Sequence, residues 1–301
     1  MPSIQAKIMN FVFKKMPKGD PNVPHDYAAE RQQNASRPAQ EPKNGITVTT
    51  IAYNGIDGER ITPVKPNGKV IWYIHGGGFT TGSAAERRAI TLYLAEKYGF
   101  TVVANNYRLA PENKWPAGLD DCISFYDGLL DAGYDPDKLY FMGESAGGHL
   151  VLSVALRLKD EGKALPKGII SFSPVTDQAE DLPSHKGNAA TDYMLGDAVS
   201  SDGQLDAVFG DAWRGDEDFL KQPYISPYYG DYTGLPQIFL AASDYETLYD
   251  DSVVLYDKLT EEGHICRLDV VHGVCHAYPM FPFMPEAKKT IKKAVDFIEN
   301  C

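Results

Sequence analysis

The sequence is poor in cysteine, in basic residues and in long apolar runs, and each shortage removes a class of protein. Four cysteines occur in 301 residues (Cys122, Cys266, Cys275 and Cys301), irregularly spaced and with no Cys-x-x-Cys pair. That excludes a disulfide scaffold, a cysteine-based zinc site and a dithiol redox motif, and makes reduced thiols in a cytoplasmic protein the expectation. Lys and Arg number 29 against 41 Asp and Glu, a net charge of −12. Such a chain lacks the clustered cations that displace counterions from phosphates, so no nucleic-acid partner is expected. No apolar run approaches the roughly 20 residues a membrane span requires. The apolar stretch 8–13 is followed, not preceded, by Lys14, Lys15 and Lys18, the wrong order for a secretion signal, so secretion is not expected.

What is present is a large core. Hydrophobic residues make up 43% of the chain, and a chain of this size can bury about three quarters of its extended surface. Residues 1–43 hold six prolines, with Ile4, Ile8, Phe11 and Val12 at helical spacing; a short amphipathic helix and then a loose arm are expected. From residue 46, β-rich runs (46–53, 70–74, 100–105, 138–142, 169–172, 238–242, 268–271) alternate with helical ones (86–98, 117–131, the stretch after Ser145, 248–262, 286–299). Val-Ile-Trp-Tyr-Ile at 70–74 is apolar on both faces, as a covered sheet requires. The fold class is therefore α/β, with a mostly parallel central sheet and helices on both faces. Residues 177–232 break the alternation. Between 177 and 220, eleven acids face only Lys186 and Arg214, which reads as a solvated surface segment. The expected organisation is an N-terminal segment 1–43, a core 44–176, an insertion 177–232 and the rest of the core, 233–301.

Three groups of residues carry chemistry. Gly143-Glu-Ser-Ala-Gly147 joins an apolar strand to an apolar helix, the setting in which flanking glycines let a serine sit on a sharp turn with its hydroxyl exposed. His75-Gly-Gly-Gly78 ends the strand 70–74. With seven histidines and 27 glycines in the chain, such a run arises by chance about 0.005 times. Its glycines can turn their N–H groups inward, so those of Gly77 and Gly78, with that of Ala146, are expected to bind an oxyanion. His75 itself is expected to orient the loop. A serine becomes a nucleophile when a histidine takes its proton and an acid holds that histidine. His276, in the short loop after the last strand, is the expected base, with His272 next and His264 expected to be exposed. The acid lies within 243–251, where spacing leaves Asp244, Glu246, Asp250 and Asp251 open.

Taken together, His75-Gly-Gly-Gly, Tyr107-Arg-Leu-Ala-Pro-Glu112, Trp115-Pro-Ala117, Asp120-Asp121, Gly143-Glu-Ser-Ala-Gly-Gly148, Ser173-Pro174, His276 and Pro285-Glu-Ala287 resemble the hormone-sensitive-lipase-like branch of α/β-hydrolase carboxylesterases. The resemblance covers roughly residues 46–300. It implies the α/β-hydrolase fold with a cap built from the N-terminus and an insertion, which residues 1–43 and 177–232 match in place. It also places the acid at the first position of an Asp-x-Leu-x-Asp pattern, here Glu246 of Glu246-Thr-Leu-Tyr-Asp250, with Asp244 second. A Glu can hold an imidazole N–H as an Asp does.

The expected function is a serine carboxylesterase acting on short-chain esters through an acyl-enzyme, with Ser145, His276 and Glu246 as its triad. It implies a small-molecule ester as substrate, no cofactor, no metal, no membrane span, and a homodimer as the assembly to look for. The same fold also serves as a non-catalytic small-molecule receptor or for non-hydrolytic chemistry such as dehydration. Receptors of this kind lack a working triad histidine and dehydratases typically carry Thr at the nucleophile, so Ser145 with His276 separates the readings. Phe79 and Phe281 are expected to touch the substrate. The aromatic residues of the insertion are expected to form its own small core.

Overall fold

Eight strands form one sheet in the computed structural model, which describes residues 1–16, 25–196, 202–214, 216 and 218–300. Lys18, Cys301 and the start of the expected arm lie outside the described residues. The strands are β1 Thr47–Tyr53, β2 Ile56–Thr62, β3 Val70–Ile74, β4 Thr101–Asn105, β5 Leu139–Glu144, β6 Gly168–Phe172, β7 Ile238–Ser243 and β8 Cys266–Val271. They run in the order β1-β2-β4-β3-β5-β6-β7-β8. β1, β2 and β4 pair antiparallel, and every pairing from β4 to β8 is parallel. The helices are α1 Ile4–Lys15, α2 Tyr27–Ala35, α3 Arg88–Tyr98, α4 Ala117–Asp131, α5 Ala146–Asp160, α6 Pro183–Gly187, α7 Asp202–Phe209, α8 Tyr249–Glu261 and α9 Pro285–Glu299.

Two apolar layers follow from alternation along the strands. Trp72 and Phe141 face α4, α5 and α8, packing with Phe125, Leu150 and Leu255. Their chain neighbours Tyr73 and Met142 face α3 and α9, with Ile90, Leu94 and Ile291. Both sheet faces are thus covered, which is why the parallel strands read as unbroken apolar runs.

The structure departs from the expected elements in two places. β2 was not expected because Ile-Asp-Gly-Glu-Arg-Ile-Thr reads as polar. Its signal is Asn54-Gly55, which turn with φ of 49° and 81° and close a hairpin registering Tyr53 on Ile56. The expected loose arm contains α2, capped by Asp26, whose side chain accepts from Ala29 N at 2.9 Å. α1 is the helix expected near the N-terminus. Its buried side is Ala6, with Met9 and Phe13, packed on Val274, Cys275, Tyr278 and Met284. The stripe Ile4, Ile8, Phe11 and Val12 faces solvent instead.

Candidate active site

Ser145 stands between β5 and α5 with φ 56° and ψ −124°, a strained conformation for an L-residue that surrounding bonds must hold. Ser145 N donates to Phe172 O at 2.8 Å, and its own carbonyl accepts from His149 N at 2.9 Å. The tight turn also depends on an absent side chain. A Cβ on Gly147 would lie 2.1 Å from Ile74 O, so α5 can start against the end of β3 only with glycine there.

The glycine run is wired to that turn. Gly77 adopts φ 123°, and the loop is held through its carbonyls: Thr81 N donates to Gly77 O at 2.9 Å and Gln204 Nε2 to Gly78 O at 2.6 Å. Glu144, the residue before Ser145, is buried and accepts from Gly76 N at 2.7 Å, Arg87 Nε at 2.5 Å and Tyr73 Oη at 2.5 Å. Arg87 Nη2 also donates to Gly76 O at 3.2 Å. One carboxylate therefore ties the glycine loop to the serine turn, and burial beside it pushes the Tyr73 hydroxyl well above its ordinary range. The sequence reading gave Glu144 and Arg87 no role; a charged residue between the strand's last apolar residue and the serine was the available signal. His75 is stacked on Tyr107 with ring centroids 4.3 Å apart. Burial, and then Arg87, push it down to about 3, so it is neutral.

His276 and Glu246 form a buried pair, Nδ1 to Oε2 at 2.6 Å, with side chains 3% and 0% exposed. The carboxylate is held from behind: Oε1 accepts from Ser243 N at 2.7 Å and Ser173 Oγ at 2.9 Å. Ser173 follows Phe172, whose carbonyl holds Ser145 N, so two hydrogen bonds through adjacent residues join the serine turn to Glu246. Burial disfavours the imidazolium, but the hydrogen bond and charge of Glu246, with Asp192 and Glu144 beyond it, outweigh this and raise His276 above the ordinary imidazole value. Its Nε2 is buried with no partner among the described residues.

The alternatives are placed elsewhere. His272 pairs with Asp244, Nδ1 to Oδ2 at 2.7 Å, on the surface. His264, expected to be exposed, is half-buried with Nε2 3.2 Å from Pro236 O. Asp250 accepts from Ser184 N at 2.7 Å, and Asp251 binds His185 Nε2 at 2.8 Å and Thr176 N at 2.6 Å.

These last bonds correct the picture of the insertion as a solvated acidic segment. Its residues 184–192 grip the loop that carries Glu246. Asn188 Nδ2 donates to the carbonyls of Glu246 and Asp244 at 2.9 and 3.1 Å. Asp192, itself buried, accepts from Thr247 N at 2.9 Å and Thr247 Oγ1 at 3.1 Å.

A cavity of about 110 Å³ opens on Ser145, Ala146 and Gly78 and is walled by Phe79, Leu195, Leu205 and Phe209, with Gln178 and Gln204 as polar members. Half of its lining comes from the insertion. Among the described residues that line it, Phe79 is present and Phe281 is not; Phe281 packs on Phe13 of α1, centroids 6.1 Å apart. The aromatic residues of the insertion divide, Phe209 facing both the cavity and Phe219 at 5.8 Å. Residues of 1–43 touch the surrounding loops instead: Arg31 Nη1 donates to Thr80 O at 2.9 Å and Ala110 O at 3.1 Å. Among the described residues no group of three or more His, Cys, Asp and Glu is gathered as a metal site, and no helix is long and apolar enough to cross a membrane.

Comparison with known proteins agrees with this geometry. A family model for the alpha/beta hydrolase fold matches residues 71–280. An acetyl-hydrolase of Streptomyces hygroscopicus is 29% identical over 248 residues, covering 80% of this chain and 79% of that one. A crystal structure of EstE5 soaked with p-nitrophenyl butyrate superposes with a TM-score of 0.87 at 27% identity, over 99% of this chain and 98% of that one. Its structure with PMSF superposes with a TM-score of 0.86. An esterase from the bacterial hormone-sensitive lipase family superposes at 0.85 with 26% identity, over 100% and 99% of the two chains. The chain belongs to the α/β-hydrolase fold family, in its hormone-sensitive-lipase-like branch, and is a carboxylic ester hydrolase.

Proposed function

We propose that the enzyme hydrolyses short-chain carboxylic esters through an acyl-enzyme on Ser145. The observation that carries this is the buried His276–Glu246 pair: Glu246 occupies Nδ1, and Nε2 is left buried and unpartnered in the tautomer that accepts a proton. Ser145 Oγ attacks the acyl carbon while its proton passes to His276 Nε2. Glu246 fixes the ring and stabilises the imidazolium. The N–H groups of Gly77, Gly78 and Ala146 bind the oxyanion, a role supported by a loop whose internal bonds use its carbonyls. Collapse of the tetrahedral intermediate returns the proton to the alcohol, which leaves; water then enters by the same route and frees the acid.

The short acyl preference rests on a small, apolar-walled cavity and on the relatives, an acetyl-hydrolase and an esterase soaked with a butyrate ester. Residues 177–232 act as the cap over a core of 44–176 and 233–301, and 1–43 brace that cap from the neighbouring loops. Replacing Ser145 with Ala tests the assignment. Its side chain is half-buried and lines the cavity, so its removal opens no void in the core and the fold should persist by circular dichroism. The rate on p-nitrophenyl butyrate should drop by more than about a thousandfold, to what binding and the oxyanion site alone supply. A variant that keeps a larger share assigns the nucleophile elsewhere.

A further inference from the structure

α1 is amphipathic on two sides. One side is used: Ala6 is fully buried on the loop that carries His276, Asn10 Nδ2 donates to Gly273 O at 3.0 Å, and Ser3 N and Oγ donate to Glu286 at 2.6 and 2.8 Å. The opposite side exposes Ile4 (74%), Ile8 (56%), Phe11 (61%) and Val12 (45%). On the docked side, Phe281 lies 6.1 Å from Phe13. Soluble surfaces scatter single apolar residues; a contiguous group on one helix face marks something that covers it.

The charge around this face indicates what does. Residues 1–16 contain Lys7, Lys14 and Lys15 and no acid, in a chain of net charge −12. All three lysines are exposed, and the first turns of α9, beginning beside Ser3 at Glu286, add the exposed Lys288 and Lys289. A second copy using the same face would set these cations against themselves, because a two-fold contact is self-complementary. An apolar helix face bordered by lysines instead fits the boundary between anionic headgroups and acyl chains.

We propose that the exposed face of α1 is an attachment surface for an anionic phospholipid bilayer. The helix, about 18 Å long, lies in the plane of the interface. Because its other side is docked on the loop 272–284, attachment holds the catalytic histidine's loop close to a phase in which apolar esters concentrate. Binding is reversible, weakens with salt, and leaves hydrolysis of dissolved esters unchanged.

The test is co-sedimentation of the full chain with vesicles of phosphatidylcholine, with and without phosphatidylglycerol, for the natural protein, Ile8→Asp/Phe11→Asp and Lys7→Glu/Lys15→Glu. None of these side chains is in the site, so hydrolysis of p-nitrophenyl butyrate without vesicles reports that the variants are folded. The expected result is binding that requires phosphatidylglycerol, falls on raising salt, and drops at least about tenfold in both variants. The proposal is overturned if the natural protein stays in the supernatant with anionic vesicles, or if the aspartate pair leaves binding unchanged. It is equally overturned if sedimentation velocity shows a dimer that the aspartate pair dissociates, which would make a second copy the cover.

Discussion

Two histidine–carboxylate pairs stand four residues apart on the same loop, with bonds of 2.6 Å for His276–Glu246 and 2.7 Å for His272–Asp244. Bond length does not separate them; surroundings do. The His272 side chain is 62% exposed and that of Asp244 33%, whereas His276 and Glu246 are almost wholly enclosed. Water competes for every bond of the outer pair and screens its charge, so it holds little. In the inner pair, Ser173 and Ser243 fix the carboxylate and the ring presents its remaining nitrogen in one direction only. A third pair, His185–Asp251, is equally buried and divides its oxygens the same way, Oδ2 on the ring and Oδ1 on the N–H groups of Thr176 and Asp177, but it joins the insertion to α8 and lies outside the cavity that opens on Ser145. Burial alone therefore does not single out one pair; what distinguishes His276–Glu246 is its link, through Ser173 and Phe172, to the turn of Ser145.

Substitutions can break this comparison in order of size. His276→Ala should cost about as much activity as loss of the whole triad, on the order of 10⁶ in kcat, while His272→Ala should stay within about twofold. Glu246→Gln should lower kcat by about 10⁴, because an amide can turn its N–H₂ to the ring and stabilises no imidazolium; Asp244→Asn is the matched control. Steady-state kinetics on one p-nitrophenyl ester checks all four. Asp251→Asn should leave those chemical groups in place and act on stability, lowering it by about 3 kcal/mol in urea unfolding, since it strips a buried ion pair that docks the insertion on α8.

The smallest effect is on pH. Burial lowers His276 and His185, but their carboxylates outweigh it, and both end above the ordinary imidazole value. A raised folded-state value means that folding favours the proton. The stability these groups contribute is complete below the unfolded value of about 6.5 and is lost as pH rises through their folded values. Catalysis runs the other way, since a base must be neutral: kcat/KM should rise through the folded value of His276, with a midpoint above about 6.5. Parallel profiles of activity and urea midpoint should therefore slope oppositely across that window; parallel slopes would contradict the raised value.

Much of this was legible in the sequence. The covered sheet showed because Val70–Ile74 is apolar on both faces, and the serine turn and glycine loop showed because each needs glycine where backbone meets backbone. The choice of Glu246 over Asp244 came from a family pattern, not from spacing, because both acids follow β7 within a few residues and both find a histidine. What stayed hidden has a common cause. Asp192, Asn188, Ser184 and Asp251 look like surface residues one at a time, and their placement depends on partners some sixty residues away. Glu144 is the same case, a charge made tolerable inside by Arg87 and Tyr73. On α1 the expected helix is present, and helical spacing reports an apolar stripe without saying whether a neighbour covers it.

The measurement closest to the central claim is labelling with a serine-directed alkyl phosphonate, read by peptide mass spectrometry, on the natural protein, His272→Ala and His276→Ala. The buried pair as activator predicts one label, on Ser145, at the same rate in the natural protein and His272→Ala, and almost none in His276→Ala. Labelling of another residue, or of Ser145 at an undiminished rate without His276, would contradict it.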